Sequence, residues 1–123
     1  MDIIGESKNK WLITKERLGL VMEIYLSLFR DLAKLYKKEK ELFVEVAFFG
    51  NKKFVYTSSM KIYTLELEED YIFVMFDNGC QMFVNKQDEV SYDIRGDVVY
   101  KNQYIIINDS GDCRVRIDCD ERY

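Results

Sequence analysis

Side chains that ordinarily perform acid–base or nucleophilic chemistry are sparse in this chain. With no histidine it lacks the commonest general base and the imidazole partner of a Ser or Cys nucleophile. Carboxylates and thiols remain. Glu66 and Glu68 form an alternating pair inside the acidic run Glu66-Leu67-Glu68-Glu69-Asp70, but acid–base work by such a pair needs a cleft that drives two pKa values apart. Cys80, Cys113 and Cys119 have no CxxC spacing, and on one extended strand Cys113 and Cys119 would stand roughly 20 Å apart. These spacings predict free thiols in a reducing compartment and disfavour a zinc site. The expectation is a chain that is not an enzyme and needs neither cofactor nor metal.

The acidic run has a second use, as a field. Formal charge is −4 overall, yet residues 1–61 hold 12 Lys/Arg against 8 Asp/Glu while residues 62–123 hold 6 against 14. An acidic second half, continued by Asp77, Asp88, Glu89, Asp93 and Asp97, repels phosphate backbones and attracts a basic protein. No nucleic-acid partner is expected. Lys34, Lys37, Lys38 and Lys40 read as a solvated helix end, and Arg95-Gly96-Asp97 as a turn. The opening Met1-Asp2-Ile3-Ile4-Gly5-Glu6 lacks the features of a signal peptide, and no apolar run approaches the roughly 18 residues of a membrane span. Cytoplasmic residence without membrane attachment is the expectation.

These residues need a scaffold. At 123 residues, with 48% hydrophobic and 33% charged content, the chain matches a single domain covering 1–123. Thr14 suits a helix N-cap with Glu16 in the first turn, and Leu18, Val21, Tyr25, Leu28, Leu32 and Leu35 recur at helical spacing. An amphipathic helix reaching Lys37–Glu41 follows. From Leu42 the pattern turns β-branched and aromatic, predicting strands over 42–49, 54–57, 61–68, 71–76, 80–85, 98–100, 104–107 and 113–119. Turns are predicted at Gly50-Asn51, Glu69-Asp70, Asn78-Gly79, Lys101-Asn102 and Asp109-Ser110-Gly111, with a long loop from Gln87 to Asp97. The fold class is α+β: an N-terminal amphipathic helix packed on a strongly curved antiparallel meander of about six to eight strands.

Asn78-Gly79 as a two-residue hairpin turn pairs Met75 with Met82, Val74 with Phe83 and Phe73 with Val84. With Glu69-Asp70 as a second such turn, Tyr63, Leu65, Leu67, Ile72, Val74, Phe76 and Phe83 share the face beneath the helix. The reverse face then carries Glu66, Glu68, Tyr71, Phe73, Met75, Met82 and Val84. A helix shields one face only, so those apolar side chains need other cover. Curling of the sheet toward a barrel, the N-terminal Trp11, Leu12 and Ile13, a second copy of the chain, or a foreign protein would each supply it, and a one-residue slip in register would instead exchange the two faces.

In general character, a small chain with an acidic half, no catalytic histidine and a Lys/Asn/Ile/Tyr-rich composition resembles bacterial immunity proteins, antitoxins and phage-encoded inhibitors. That resemblance implies a binding protein acting by occlusion. The partner-binding residues would be Glu66, Glu68, Glu69 and Asp70 for steering, with Tyr71, Phe73, Met75 and Met82 for contact. The alternative is a small-molecule-binding domain, with or without enzymatic activity, whose pocket between helix and sheet is lined by Phe73, Met75, Met82, Tyr71 and Tyr92.

Overall fold

The computed structural model describes residues 22–49 and 53–122. One helix, α1 (residues 22–38), packs on a sheet of seven strands. They are β1 (Glu41–Phe49), β2 (Lys53–Leu67), β3 (Tyr71–Phe76), β4 (Gln81–Asn85), β5 (Glu89–Arg95), β6 (Val98–Ile107) and β7 (Cys113–Arg122). All pairings are antiparallel, in the order β4-β3-β2-β1-β7-β6-β5. The sheet is therefore two meanders joined through β1 and β7 rather than one. Its edges, β4 and β5, are consecutive in the chain and separated only by residues 86–88, a link that spans at most about 14 Å. Such a short tie draws the two edges together at one end and curls the sheet, which stays open. Asp88 holds the tie: its carboxylate accepts from the Asn85 N–H at 2.9 Å, and its own N–H donates to the Asn85 carbonyl at 3.0 Å.

Tyr25, Leu28, Leu32 and Leu35 recur every three or four residues along α1, and all four are buried against the concave side. The helix ends in a Schellman pattern, with Glu39 N–H donating to the Tyr36 carbonyl and Lys40 N–H to the Leu35 carbonyl. That motif puts Glu39 at φ 56°, a left-handed conformation more usual for glycine. Thr14, Leu18, Val21 and Trp11-Leu12-Ile13 lie outside the described residues, as does the Gly50-Asn51 turn.

Several sequence expectations change. The segments 54–57 and 61–68 are one strand, β2, as are 98–100 and 104–107, β6. The expected loop Gln87–Asp97 contains β5, whose Val90 and Tyr92 belong to the core. The Arg95-Gly96-Asp97 turn is present, with Gly96 at φ 63°.

The β3–β4 hairpin is shifted by one residue from the expected register. Met75 pairs with Gln81, Val74 with Met82, Phe73 with Phe83 and Ile72 with Val84. The Gly79 N–H donates to the Phe76 carbonyl and the Phe76 N–H to the Cys80 carbonyl, while Gly79 sits at φ 89°. These are the marks of a three-residue loop, a type I turn followed by a left-handed glycine. The slip turns β4 over. Met82 and Val84 move to the concave side, where Val84 is fully buried, and Phe83 moves to the convex side. Tyr63 is also displaced: a bulge between Ile62 and Thr64 makes Ile62, not Tyr63, the partner of Phe76, and leaves Tyr63 67% exposed.

Candidate functional site

On the convex side of β2, β3 and β4, side chains stand in three cross-strand rows. Thr64, Met75 and Gln81 form one, and Glu66, Phe73 and Phe83 the next. In the third, Glu68 N–H donates to the Tyr71 carbonyl, and Tyr71 faces Asn85. Of the predicted contact residues, Glu66, Glu68, Tyr71, Phe73 and Met75 do share one face. Glu69 and Asp70 form the turn beside it, and Met82 is not part of it. Phe83, read from sequence as core, takes its place at the centre. Its ring lies 5.0 Å from that of Phe73 and 5.5 Å from that of Tyr71, and the residue is 52% exposed. Tyr71, Phe73 and Met75 are half-buried.

The acidic field is smaller than the sequence suggests. Glu66, Glu68, Glu69, Asp70 and Asp77 are exposed, and none makes an ion pair among the described residues. Asp88 and Asp93 are buried instead. Asp88 serves the β4–β5 link, and Asp93 lies 3.6 Å from the Arg95 guanidinium and 3.9 Å from that of Arg116.

Beneath the helix runs a polar chain that the sequence reading missed. Tyr92 Oη donates to Ser27 Oγ at 3.5 Å, Ser27 Oγ lies 2.9 Å from Tyr104 Oη, and Tyr104 Oη donates to an Asp31 carboxylate oxygen at 2.5 Å. Burial, reinforced by the bond to Asp31, pushes the Tyr104 phenol far above its ordinary pKa. The chain pins α1 to β5 and β6. Ser27 and Asp31, four residues apart on a mostly apolar helix face, were the available signal.

The concave side carries a cavity of about 440 Å³ at the open end of the sheet. Val44, Met60 and Phe76, all buried, line it together with Val46, Val115 and Met82, while the exposed Phe48, Tyr56, Cys80 and Gln81 stand around its rim. Among the described residues, none from α1 contributes to it. Of the five residues predicted to line a pocket, Met82 does so; Phe73, Met75, Tyr71 and Tyr92 do not.

All three cysteines are free thiols. Cys80 is exposed and Cys119 buried, and burial followed by the nearby carboxylates Asp31, Asp118 and Asp120 raises the Cys119 thiol well above its ordinary pKa. Among the described residues no helix is long and apolar enough to cross a membrane. No protein-family model, curated protein or solved structure matches the chain.

Proposed function

We propose that this chain is a cytoplasmic protein-binding protein or inhibitor, of the immunity, antitoxin or phage-inhibitor kind, that occludes a basic partner with the convex face of β2–β4. The observation that carries this reading is the half-exposed Phe83 ring at the centre of the Tyr71–Phe73–Phe83 cluster, in the same cross-strand row as Glu66. Aromatic side chains that bury large areas on docking are the usual energetic anchors of an interface. Glu66, Glu68, Glu69 and Asp70 border that cluster and make no ion pair among the described residues, so they favour a cationic partner and disfavour an acidic one. Contact then belongs to the rings, and steering to the acids.

The test is affinity capture from native lysate at low ionic strength, using the wild-type chain, Phe83→Asp, and the double variant Glu66→Lys/Glu68→Lys. The expected result is one basic protein retained stoichiometrically by wild type, lost with Phe83→Asp, and captured more slowly and with less salt dependence by the double variant. Equal retention by all three proteins, or no specific retention by wild type, would overturn the reading.

A further inference from the structure

Beyond the convex face, with which it shares Gln81 and Phe83 on the edge strand β4, we infer that the open end of the curved sheet is a binding site for an uncharged, largely apolar small molecule. The cavity here is about 440 Å³. That lies in the range of about 300–1,000 Å³ typical of small-molecule sites. Its size has a local cause. Val46 and Val115 pair directly across β1 and β7, with Val44 two residues along, so three short side chains pave a floor that the longer Phe76 and Met82 wall in.

The lining decides the chemical class. Among the described residues no charged side chain contributes to it, so a ligand carboxylate or ammonium would be desolvated there with no counter-ion, at a cost that disfavours it. Apolar walls hydrate poorly, and replacing water with hydrocarbon there is favourable. The Gln81 amide and the Tyr56 phenol at the rim provide hydrogen-bond partners for one neutral polar group. The occupant is therefore a neutral molecule with an aliphatic or aromatic body and a hydroxyl, amide or carbonyl at one end. Phe83 also borders this cavity, so the test leaves that residue alone.

The test uses the full chain and the uncharged fluorophore N-phenyl-1-naphthylamine. Saturable enhancement at one probe per chain is expected, reversed by decan-1-ol and not by laurate. Filling the floor with Val46→Phe or Val115→Phe should weaken probe binding at least about tenfold. Because overpacking can also disturb folding, a second measurement uses the unaltered protein. Cys80 borders the cavity and Cys113 does not, so saturating decan-1-ol should slow alkylation of Cys80 by N-ethylmaleimide while leaving Cys113 unchanged, as read by peptide mapping. Absence of saturable enhancement, an indifferent Cys80 rate, or laurate competing as well as decan-1-ol would each overturn the inference.

Discussion

The convex surface of one sheet is finished in two different ways. Across β1, β7 and β5, charges neutralise one another. Glu45 stands opposite Arg116 in register, with its carboxylate 3.2 Å from that guanidinium and 4.0 Å from Arg114. Arg116 reaches on to the buried Asp93, and the Arg114 guanidinium lies 5.4 Å from the centre of the Phe49 ring. Across β2, β3 and β4, the acids have no such partners among the described residues, and aromatic rings occupy the positions between them. Exposed aliphatic residues occur in the first region too, as Ile94, Val98 and Val99 by the β5–β6 turn. Among the described residues, only the second region combines ring-on-ring packing with unneutralised charge. A cross-strand ion pair completes a surface by itself, whereas acids beside exposed rings leave both charge and apolar area available to another molecule.

The comparison rests on which way β4 faces, and the largest expected effect tests that. Val84→Asp would bury an unpaired carboxylate beneath the helix and should unfold the domain, at a cost above about 4 kcal/mol. Phe83→Asp, one residue away on the exposed side, should change stability by less than about 1 kcal/mol. Urea denaturation of the two variants measures both. The reverse ranking would restore the two-residue turn and dissolve the convex cluster.

That register was the least legible part of the sequence. Asn78-Gly79 satisfies glycine's left-handed preference equally well in a two-residue or a three-residue loop, so the dipeptide marks the turn without counting its residues. Tertiary packing decides: Ile72, Val74 and Phe76 require Met82 and Val84 beside them under the helix. The helix face itself was readable because Tyr25, Leu28, Leu32 and Leu35 follow one period. The Glu69-Asp70 turn was readable too, since Leu67 and Ile72 pair as expected. In β5 the alternation of Val90, Tyr92 and Ile94 was visible but masked by the charged residues around it. Polar stretches such as Ser58-Ser59 and Lys101-Asn102 looked like breaks because long strands leave part of their length in water. The cavity had no sequence signal, being a gap between side chains from five strands.

A middle-sized effect tests the neutralised region. Arg116→Ala leaves Glu45 half-buried and Asp93 buried without their shared cation. The partial exposure of Arg116 and Glu45 places the loss at about 2 kcal/mol, between the values for surface and fully buried pairs. Denaturation of Arg116→Ala beside Arg116→Met separates the charge from the packing of its stem.

Alkaline pH probes the core between α1 and the β5–β7 side of the sheet. The folded chain holds the Tyr104 and Cys119 protons above their ordinary pKa values of 10.0 and 9.0, first through burial in each case. Both groups are protonated in either state at neutral pH, so their contribution is fully present below about pH 9. As pH rises further the unfolded chain releases these protons first, and stability falls. Urea midpoints between about pH 8 and 11 should therefore decline less steeply in Cys119→Ala and Tyr104→Phe than in wild type. Parallel slopes would mean that neither group is protected by the fold.

The smallest effect on stability sharpens the comparison most. Glu66 and Glu68 are exposed and make no ion pair among the described residues, so Glu66→Lys/Glu68→Lys should shift stability by no more than about 0.5 kcal/mol. The sign should be slightly favourable, because reversal relieves repulsion within Glu66–Asp70. Glu45→Lys changes charge by the same amount per site but places a cation opposite Arg116 and beside Arg114, and should cost about 1–2 kcal/mol. Thermal or urea denaturation at low and high salt distinguishes the cases, since screening should recover part of the Glu45→Lys loss and little of the other change. Equal losses in the two variants would make the β2 acids structural, and the two halves of the convex surface would no longer differ in kind.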